Sequence, residues 1–385
     1  ANWMQGTGLS GGDRIFIELI KKWQFKLDIT LLISQEGSVI CQYHKLSNIR
    51  QNIWASDRLV KLGYLIDTLY RTSVSIKEAF SIKMLSGDIV FSSSDFWPDF
   101  FPAFILKLKN PKIIWVAGFY LFAPKPWDKF SPYHNKNFLI GLFYWLSQVP
   151  AYYVIRKFSD IVFVTSQPDV NKFITPRRPK EKVIVIRGGV DTAPAKIYLN
   201  SEEVIPPEER IYDACFVGRF HYQKGVLELV KIWQVVCLNI PQARLVMIGV
   251  GPLESEIRSL IKEFGLSKNI ELMGFLDGPK KFEVFKQCRI VVHPATFDSG
   301  GMTASEAMAW GLPGVSFDLE ALKTYYPKGM LKTSCFDIDE FAENIFNLLS
   351  NPHEYKEMSL EALKFVHEEW EWNNRAKDIY AHLIA

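Results

Sequence analysis

Residues that build disulfide frameworks and metal sites are scarce in this chain. Its 385 residues include five cysteines and seven histidines. Cys41, Cys215, Cys237, Cys288 and Cys335 are widely scattered, and no CxxC or Cys/His ligand spacing occurs. An odd, dispersed set suits a reducing compartment and argues against a disulfide framework or a structural zinc. There is no Walker-type phosphate loop, and no Ser-His-Asp or Cys-His spacing. No nucleic-acid-reading module is present, so no nucleic-acid partner is expected. No secretory signal pattern opens the sequence. Long uncharged runs are equally rare. Phe138 to Ile155 spans 18 residues without a charge but contains Ser147, Gln148 and Pro150. Its length touches the spanning threshold, yet it falls between strands of one sheet, where a membrane span has no place. An interfacial helix and ordinary packing against the sheet both remain open for it. The same holds for the stretch from Phe96-Trp97-Pro98 to Lys109.

What is present has the balance of a globular protein: 48% hydrophobic, 23% charged and 14% aromatic residues. A chain of this length exceeds one ordinary core, so two domains are expected. The net charge of +3 conceals an asymmetry. Residues 1–200 hold 26 Lys and Arg against 15 Asp and Glu, whereas residues 201–385 hold 19 against 27. A basic first half suits an anionic partner for that half alone; solvated charges distributed by chance are the bland alternative.

Both halves alternate short apolar runs with helical patterns. Ile29–Ile33, Asp88–Ser92, Lys112–Ala117, Asp160–Thr165 and Lys182–Ile186 read as parallel strands of a first domain. Helices are expected at Arg14–Trp23 and Trp97–Leu108. A second series follows with strands at Asp213–Val217, Arg244–Ile248, Ile270–Met273, Ile290–His293 and Gly314–Phe317, then mainly helix to the end. In the helix after Pro252, Leu253, Ile257, Leu260, Ile261 and Phe264 share one face, and Pro252 suits a first helical position. The expected fold is α/β, with two Rossmann-like, doubly wound domains facing across a cleft. The boundaries are 1–192, a linker over 193–211, a second domain over 212–365, and a C-terminal helix at 366–385 that returns to the first domain. Only Ala1-Asn2-Trp3 precede the glycine-rich loop Gly6–Gly12, so the first strand is very short or only partly contained.

Phe297-Asp298-Ser299-Gly300-Gly301-Met302-Thr303-Ala304-Ser305-Glu306 carries the densest chemistry. A glycine turn entering a helix offers unpaired amides to an anion, and two carboxylates flank it. Glu306 has a structural alternative, because Thr303-Ala304-Ser305-Glu306 matches a capping box. Asp298 has one too, as a turn residue bonded to its own backbone. Gly218-Arg219 ends a predicted strand and Lys224-Gly225 opens the next helix. Two cations there suit a diphosphate, although solvated surface charges are the simpler reading of that pair alone. Gly6, Gly8, Gly11 and Gly12 precede a helix and suit a phosphate or a plain turn. The histidines form no metal spacing, and His293 reads as packed or supporting.

Taken together, these residues resemble the retaining GT-B glycosyltransferases of family 4. Gly11-Gly12-Asp13-Arg14 is similar to the family's Gly-Gly-x-Glu-Arg turn. Val183 to Asp191 resembles the end of its first domain. Phe216-Val217-Gly218-Arg219 with Lys224-Gly225 looks like its diphosphate motif, and Met247 to Pro252 like its V-G-x-G-P turn. Asp298 to Glu306 resembles its carboxylate-x7-glutamate motif, followed by Gly311-Leu312-Pro313. The resemblance implies transfer of a sugar from a nucleotide-diphosphate sugar to a hydroxyl acceptor, a glycan or lipid-linked, with no metal and no cofactor beyond the donor. It implies that Glu306 binds the ribose and Asp298 the donor sugar, while Arg219 and Lys224 neutralise the diphosphate. Gly300, Gly301, Met302 and Thr303 would hold sugar hydroxyls and phosphate. Gly11, Gly12 and Gly218 would approach the diphosphate, and Gly274, Phe275 and Leu276 the base. Two departures stand out: Asp298 where a glutamate is usual, and Ala117-Gly118 where His-Gly is common. A sugar-nucleotide epimerase and a nucleotide-sugar-binding subunit without turnover are the alternative readings. A cytoplasmic location is expected, with peripheral attachment to an anionic inner membrane face as an option.

Overall fold

The computed structural model describes residues 1–4, 10–46, 48–54, 64–129, 131–134 and 137–384. It divides into two compact units. One contains Ala1–Pro126, Asn135–Gly188 and Trp372–Ala385; the other contains Trp127–His134 and Gly189–Glu371.

The first unit opens with helix α1 (Gly11–Trp23). Ser10 Oγ accepts from Asp13 N at 3.2 Å and the Asp13 carboxylate accepts from Ser10 N at 3.3 Å. This reciprocal cap satisfies two donors that a helix start leaves unpaired. Strand β1 (Thr30–Ser34), α2 (Gln35–Tyr43) and β2 (Arg50–Trp54) follow, and β1 pairs with β2 in parallel. Next come α3 (Tyr64–Ser81), β3 (Ile89–Ser92), α4 (Trp97–Lys109), β4 (Ile114–Gly118), α5 (Phe138–Phe158), β5 (Ile161–Val164), α6 (Val170–Phe173) and β6 (Val183–Val185). The strands β3-β4-β5-β6 form one parallel sheet in that order. Its core gathers Phe100, Trp115, Ala117, Phe119, Ile155 and Val162. Arg178, buried behind α5, donates to the carbonyls of Ile155 at 3.0 Å and Ser159 at 2.5 Å. That satisfies acceptors the helix end leaves over.

The second unit starts earlier than expected. Residues 193–211, read as a linker, contain helix α7 (Ala193–Leu199), whose Ala195 and Tyr198 are buried in the unit's core. Pro194 signals a break in sequence but is tolerated in a helix's first turn, where its missing N–H costs nothing. Then follow β7 (Tyr212–Val217), α8 (Val226–Asn239), β8 (Leu245–Ile248), α9 (Glu254–Glu263), β9 (Ile270–Leu272), α10 (Pro279–Lys286), β10 (Cys288–His293), α11 (Met302–Met308), β11 (Gly314–Phe317), α12 (Glu320–Tyr325), β12 (Met330–Thr333), α13 (Ile338–Ser350) and α14 (Pro352–Glu369). Pro252 lies ahead of the α9 cap at Leu253 rather than inside the helix. The sheet order is β12-β11-β10-β7-β8-β9, all parallel. Both faces are covered, which is why its strands read as continuous apolar runs. Ala214 and Phe216 face a core with Trp233, Ile257 and Phe341, while Cys215 faces the opposite core with Met308, Phe365 and Trp370.

The last helix, α15 (Trp372–Ile384), belongs to the first unit from residue 372 rather than 366. It packs on α1: Trp23 Nε1 donates to Ala376 O at 3.1 Å, and Lys26 sits 4.7 Å over the Tyr380 ring.

Candidate functional site

In the second unit, β7 and β10 are neighbours, with Ala214 opposite Ile290 and Cys215 opposite Val291. From β7 the chain winds outward through β8 and β9, and from β10 it winds the other way through β11 and β12. At such a reversal the connections leave in opposite directions and open a crevice beyond the carboxyl ends of the two strands. Gly218, Arg219 and Lys224 follow β7; Asp298, Gly300 and Gly301 follow β10. The segments touch at Gly225, whose φ is +62° and whose added Cβ would stand 1.8 Å from Pro294 O. Only glycine fits there.

Asp298 is the hub of this edge. Its Oδ2 lies 2.5 Å from Lys224 Nζ and 3.1 Å from His293 Nε2. Its Oδ1 accepts from the amides of Ser299 at 2.8 Å, Gly300 at 3.3 Å and Gly301 at 3.2 Å. Burial alone would raise its pKa. Lys224 and His293 outweigh burial and hold the carboxyl below the usual range. Burial pushes the His293 ring the other way, below its ordinary value, so a neutral imidazole donates to the carboxylate. The turn-residue reading of Asp298 therefore holds. It also alters the expected roles of its neighbours, because the Gly300 and Gly301 amides face the protein's own carboxylate rather than open space. Lys224 is likewise engaged in an ion pair.

Arg219 differs. It is exposed, and among the described residues it has no ion-pair partner. Its charge reaches His221, which is held down at about 4 by burial, by Arg219 and by Lys224. It also reaches Tyr133, whose ring lies 6.4 Å from that of His221. Arg219 and Lys224 make the end of β7 an electropositive edge, with the His221 ring held neutral between them.

Glu306 does not close a capping box. Helix α11 starts at Met302 with Gly301 as its cap, so Thr303, the cap that a capping box would need, is already helical. The Glu306 carboxylate instead meets Lys281 of α10, with Oε2 2.8 Å from Nζ. Lys281 also binds Asp277 Oδ1 at 3.1 Å. Burial would lower the Lys281 pKa, but the Glu306 and Asp277 carboxylates raise it above the ordinary lysine value. Lys281 was invisible to motif reading; its one signal is a lysine one helical turn beyond an aspartate. The start of α11 is braced by Tyr326, whose hydroxyl accepts from Ser305 N at 3.1 Å and donates to Gly301 O. Gly274, at φ +67°, gives its carbonyl to Gly249 N at 2.8 Å, leaving Phe275 exposed and Leu276 half-buried.

In the first unit, Gly11 and Gly12 form the first turn of α1, and a Cβ at Gly12 would stand 2.8 Å from the Tyr120 ring. Gly6 and Gly8 lie outside the described residues. Among the described residues no group of three or more His, Cys, Asp or Glu could hold a metal ion.

Residues 200–365 match the family model described as Glycosyl transferases group 1. An uncharacterized glycosyltransferase of Methanocaldococcus jannaschii is 28% identical over 218 residues, covering 52% of this chain and 53% of that protein. The poly(glycerol-phosphate) alpha-glucosyltransferase of Bacillus subtilis is 25% identical over 162 residues, covering 41% of this chain and 24% of its own. The chain thus spans about half the length, or less, of these curated relatives. At the level of fold the likeness extends over nearly the whole chain. HepE of Anabaena, solved with UDP and glucose, superimposes with a TM-score of 0.70 at 16% identity, covering 99% of this chain and 98% of that one. Two Rossmann-like lobes with parallel sheets define a GT-B fold. The chain thus has the GT-B fold, and its residues 200–365 carry the group 1 glycosyltransferase match, in line with the family its motifs resemble.

Proposed function

We propose that this protein moves a sugar from a nucleoside diphosphate sugar to an acceptor hydroxyl, with retention at the anomeric carbon and without a divalent metal. The observation that carries this reading is the convergence of Arg219, Lys224, Asp298 and Glu306 on the unit that holds the group 1 match, at its strand reversal. Breaking the anomeric C–O bond leaves positive charge on the sugar and negative charge on the diphosphate. Arg219, the unengaged cation, stabilises that departing charge, and Lys224 supports it once the phosphate competes with Asp298. The acceptor hydroxyl attacks from the face the diphosphate leaves, and a phosphate oxygen takes its proton. HepE was crystallised with UDP, which makes UDP-sugars the first donors to try. The test is turnover of a nucleotide-sugar panel in EDTA, with NMR of the product anomer. Full turnover by Arg219→Ala and Lys224→Ala would defeat the assignment, and an inverted product would defeat retention.

The acceptor proposal is a lipid-linked one, met at the anionic cytoplasmic face of a membrane. The first unit carries 26 Lys and Arg against 14 Asp and Glu, the second 19 against 28. Along α5 of the basic unit, Leu139, Ile140, Leu146 and Tyr153 are exposed, and Arg156 and Lys157 are exposed at its end. Because α5 joins β4 to β5, paired neighbours, it lies on the sheet and suits the interface rather than a span. Apolar burial with basic flanks favours anionic headgroups. Co-sedimentation with phosphatidylglycerol vesicles should exceed that with neutral vesicles and fall in Leu139→Glu/Ile140→Glu. Equal recovery with both vesicle types would contradict this.

A further inference from the structure

Lys281 lies outside every motif named from the sequence, yet it joins the segment after the Gly274-Phe275-Leu276 turn to the helix that carries Glu306. Its side chain is 8% exposed, and lysine is seldom buried unless paired. One partner, Asp277, directly follows the Gly274-Phe275-Leu276 turn; the other, Glu306, projects from α11. The lysine thus ties the loop after β9 to the helix after β10. It engages only Oε2 of Glu306. Oε1 accepts no hydrogen bond among the described residues, and the Glu306 side chain is 23% exposed. A carboxylate pinned through one oxygen presents the other in a fixed direction.

We propose that Lys281 is a positioning residue for ribose recognition: it fixes Glu306 as the hydroxyl acceptor and couples it, through Asp277, to the base-side turn. This rests on the reading of Glu306 as a donor-binding residue. A site built to accept hydroxyl protons rejects an analogue lacking them, because its acceptor is left without a partner. Lys281 touches no departing group, so its loss acts on donor affinity and leaves the chemical step in place.

The experiment is calorimetric titration of UDP or GDP, whichever the wild type binds, beside its 2′,3′-dideoxy counterpart. Wild type should favour the ribonucleotide by about tenfold or more. Lys281→Met and Glu306→Gln should each bring that ratio close to one, and the double variant should lose nothing further. Lys281→Arg should keep most of the ratio, and the donor KM of Lys281→Met should rise while kcat stays within about twofold. If Lys281→Met does not fold, Asp277→Asn carries the test, with an expected fall in the ratio of about threefold. Retention of the full ratio by Lys281→Met, or by Asp277→Asn in its place, while Glu306→Gln loses it would overturn the inference alone. A full ratio in Glu306→Gln, or no binding of either diphosphate, would overturn the donor reading and this inference with it.

Discussion

Lys224 and Asp298 form a 2.5 Å ion pair across the neighbouring ends of β7 and β10. The Asp298 side chain is 8% exposed, so this charge depends on its partners. Removing one member of a buried pair leaves the other uncompensated and costs about 3 kcal/mol or more, whereas removing both costs less. Lys224→Met should therefore lower unfolding free energy by about 2–3 kcal/mol, because Lys224 is itself a quarter exposed and His293 remains. Lys224→Met/Asp298→Asn should recover part of that loss. Denaturant titration of Lys224→Met, Asp298→Asn and the double variant measures it, and strict additivity would show that the pair is not coupled.

Acid should act through the same carboxylate. Asp298 has a folded pKa below its unfolded value, so its contribution is present above the unfolded pKa and lost as pH falls through the folded one. Wild type should lose more stability than Asp298→Asn on going from pH 6 to pH 3. Parallel stability curves for the two proteins would contradict this.

His221 should add a second, separable slope. Its folded pKa of about 4 lies below the ordinary 6.5, so the unfolded chain takes up a proton first as pH falls between those values. Stability should drop across that window by about 1 kcal/mol, after discounting for partial exposure, and His221→Gln should flatten it. The check is a melting series from pH 7 to pH 4 on both proteins.

The glycine before α11 should resist substitution. Gly301 has φ +61°, and an added Cβ would lie 2.3 Å from His293 Nε2, the nitrogen that bonds Asp298. Gly301→Ala should cost about 2 kcal/mol or more in stability and weaken nucleotide binding at once. Thermal shift with and without nucleotide separates the two effects.

Much of this arrangement was legible beforehand, and what was missed has identifiable causes. The strands flanked by core on both faces announced themselves as apolar runs, and β7, β8, β10 and β11 lie within two residues of their expected limits. β2 did not, because Arg50-Gln51-Asn52 belongs to one of only two paired strands and is largely exposed. β12 is a short edge strand that includes Lys332, and no alternation is readable over four residues. At the site, Arg219, Lys224, Asp298 and Glu306 could be named from motif spacing. Their partners could not. Spacing along the chain says nothing about which carboxylate a cation from another strand will meet, so Lys224–Asp298 and Lys281–Glu306 emerged only with the fold.

Arg219 should face the diphosphate of a nucleotide donor. Calorimetric titration of UDP and GDP into wild type and Arg219→Ala tests it most directly. One of the two nucleotides should bind wild type, and Arg219→Ala should bind it about 10- to 100-fold more weakly, as expected for loss of a charge-assisted contact. Equal affinity in the two proteins would contradict the account.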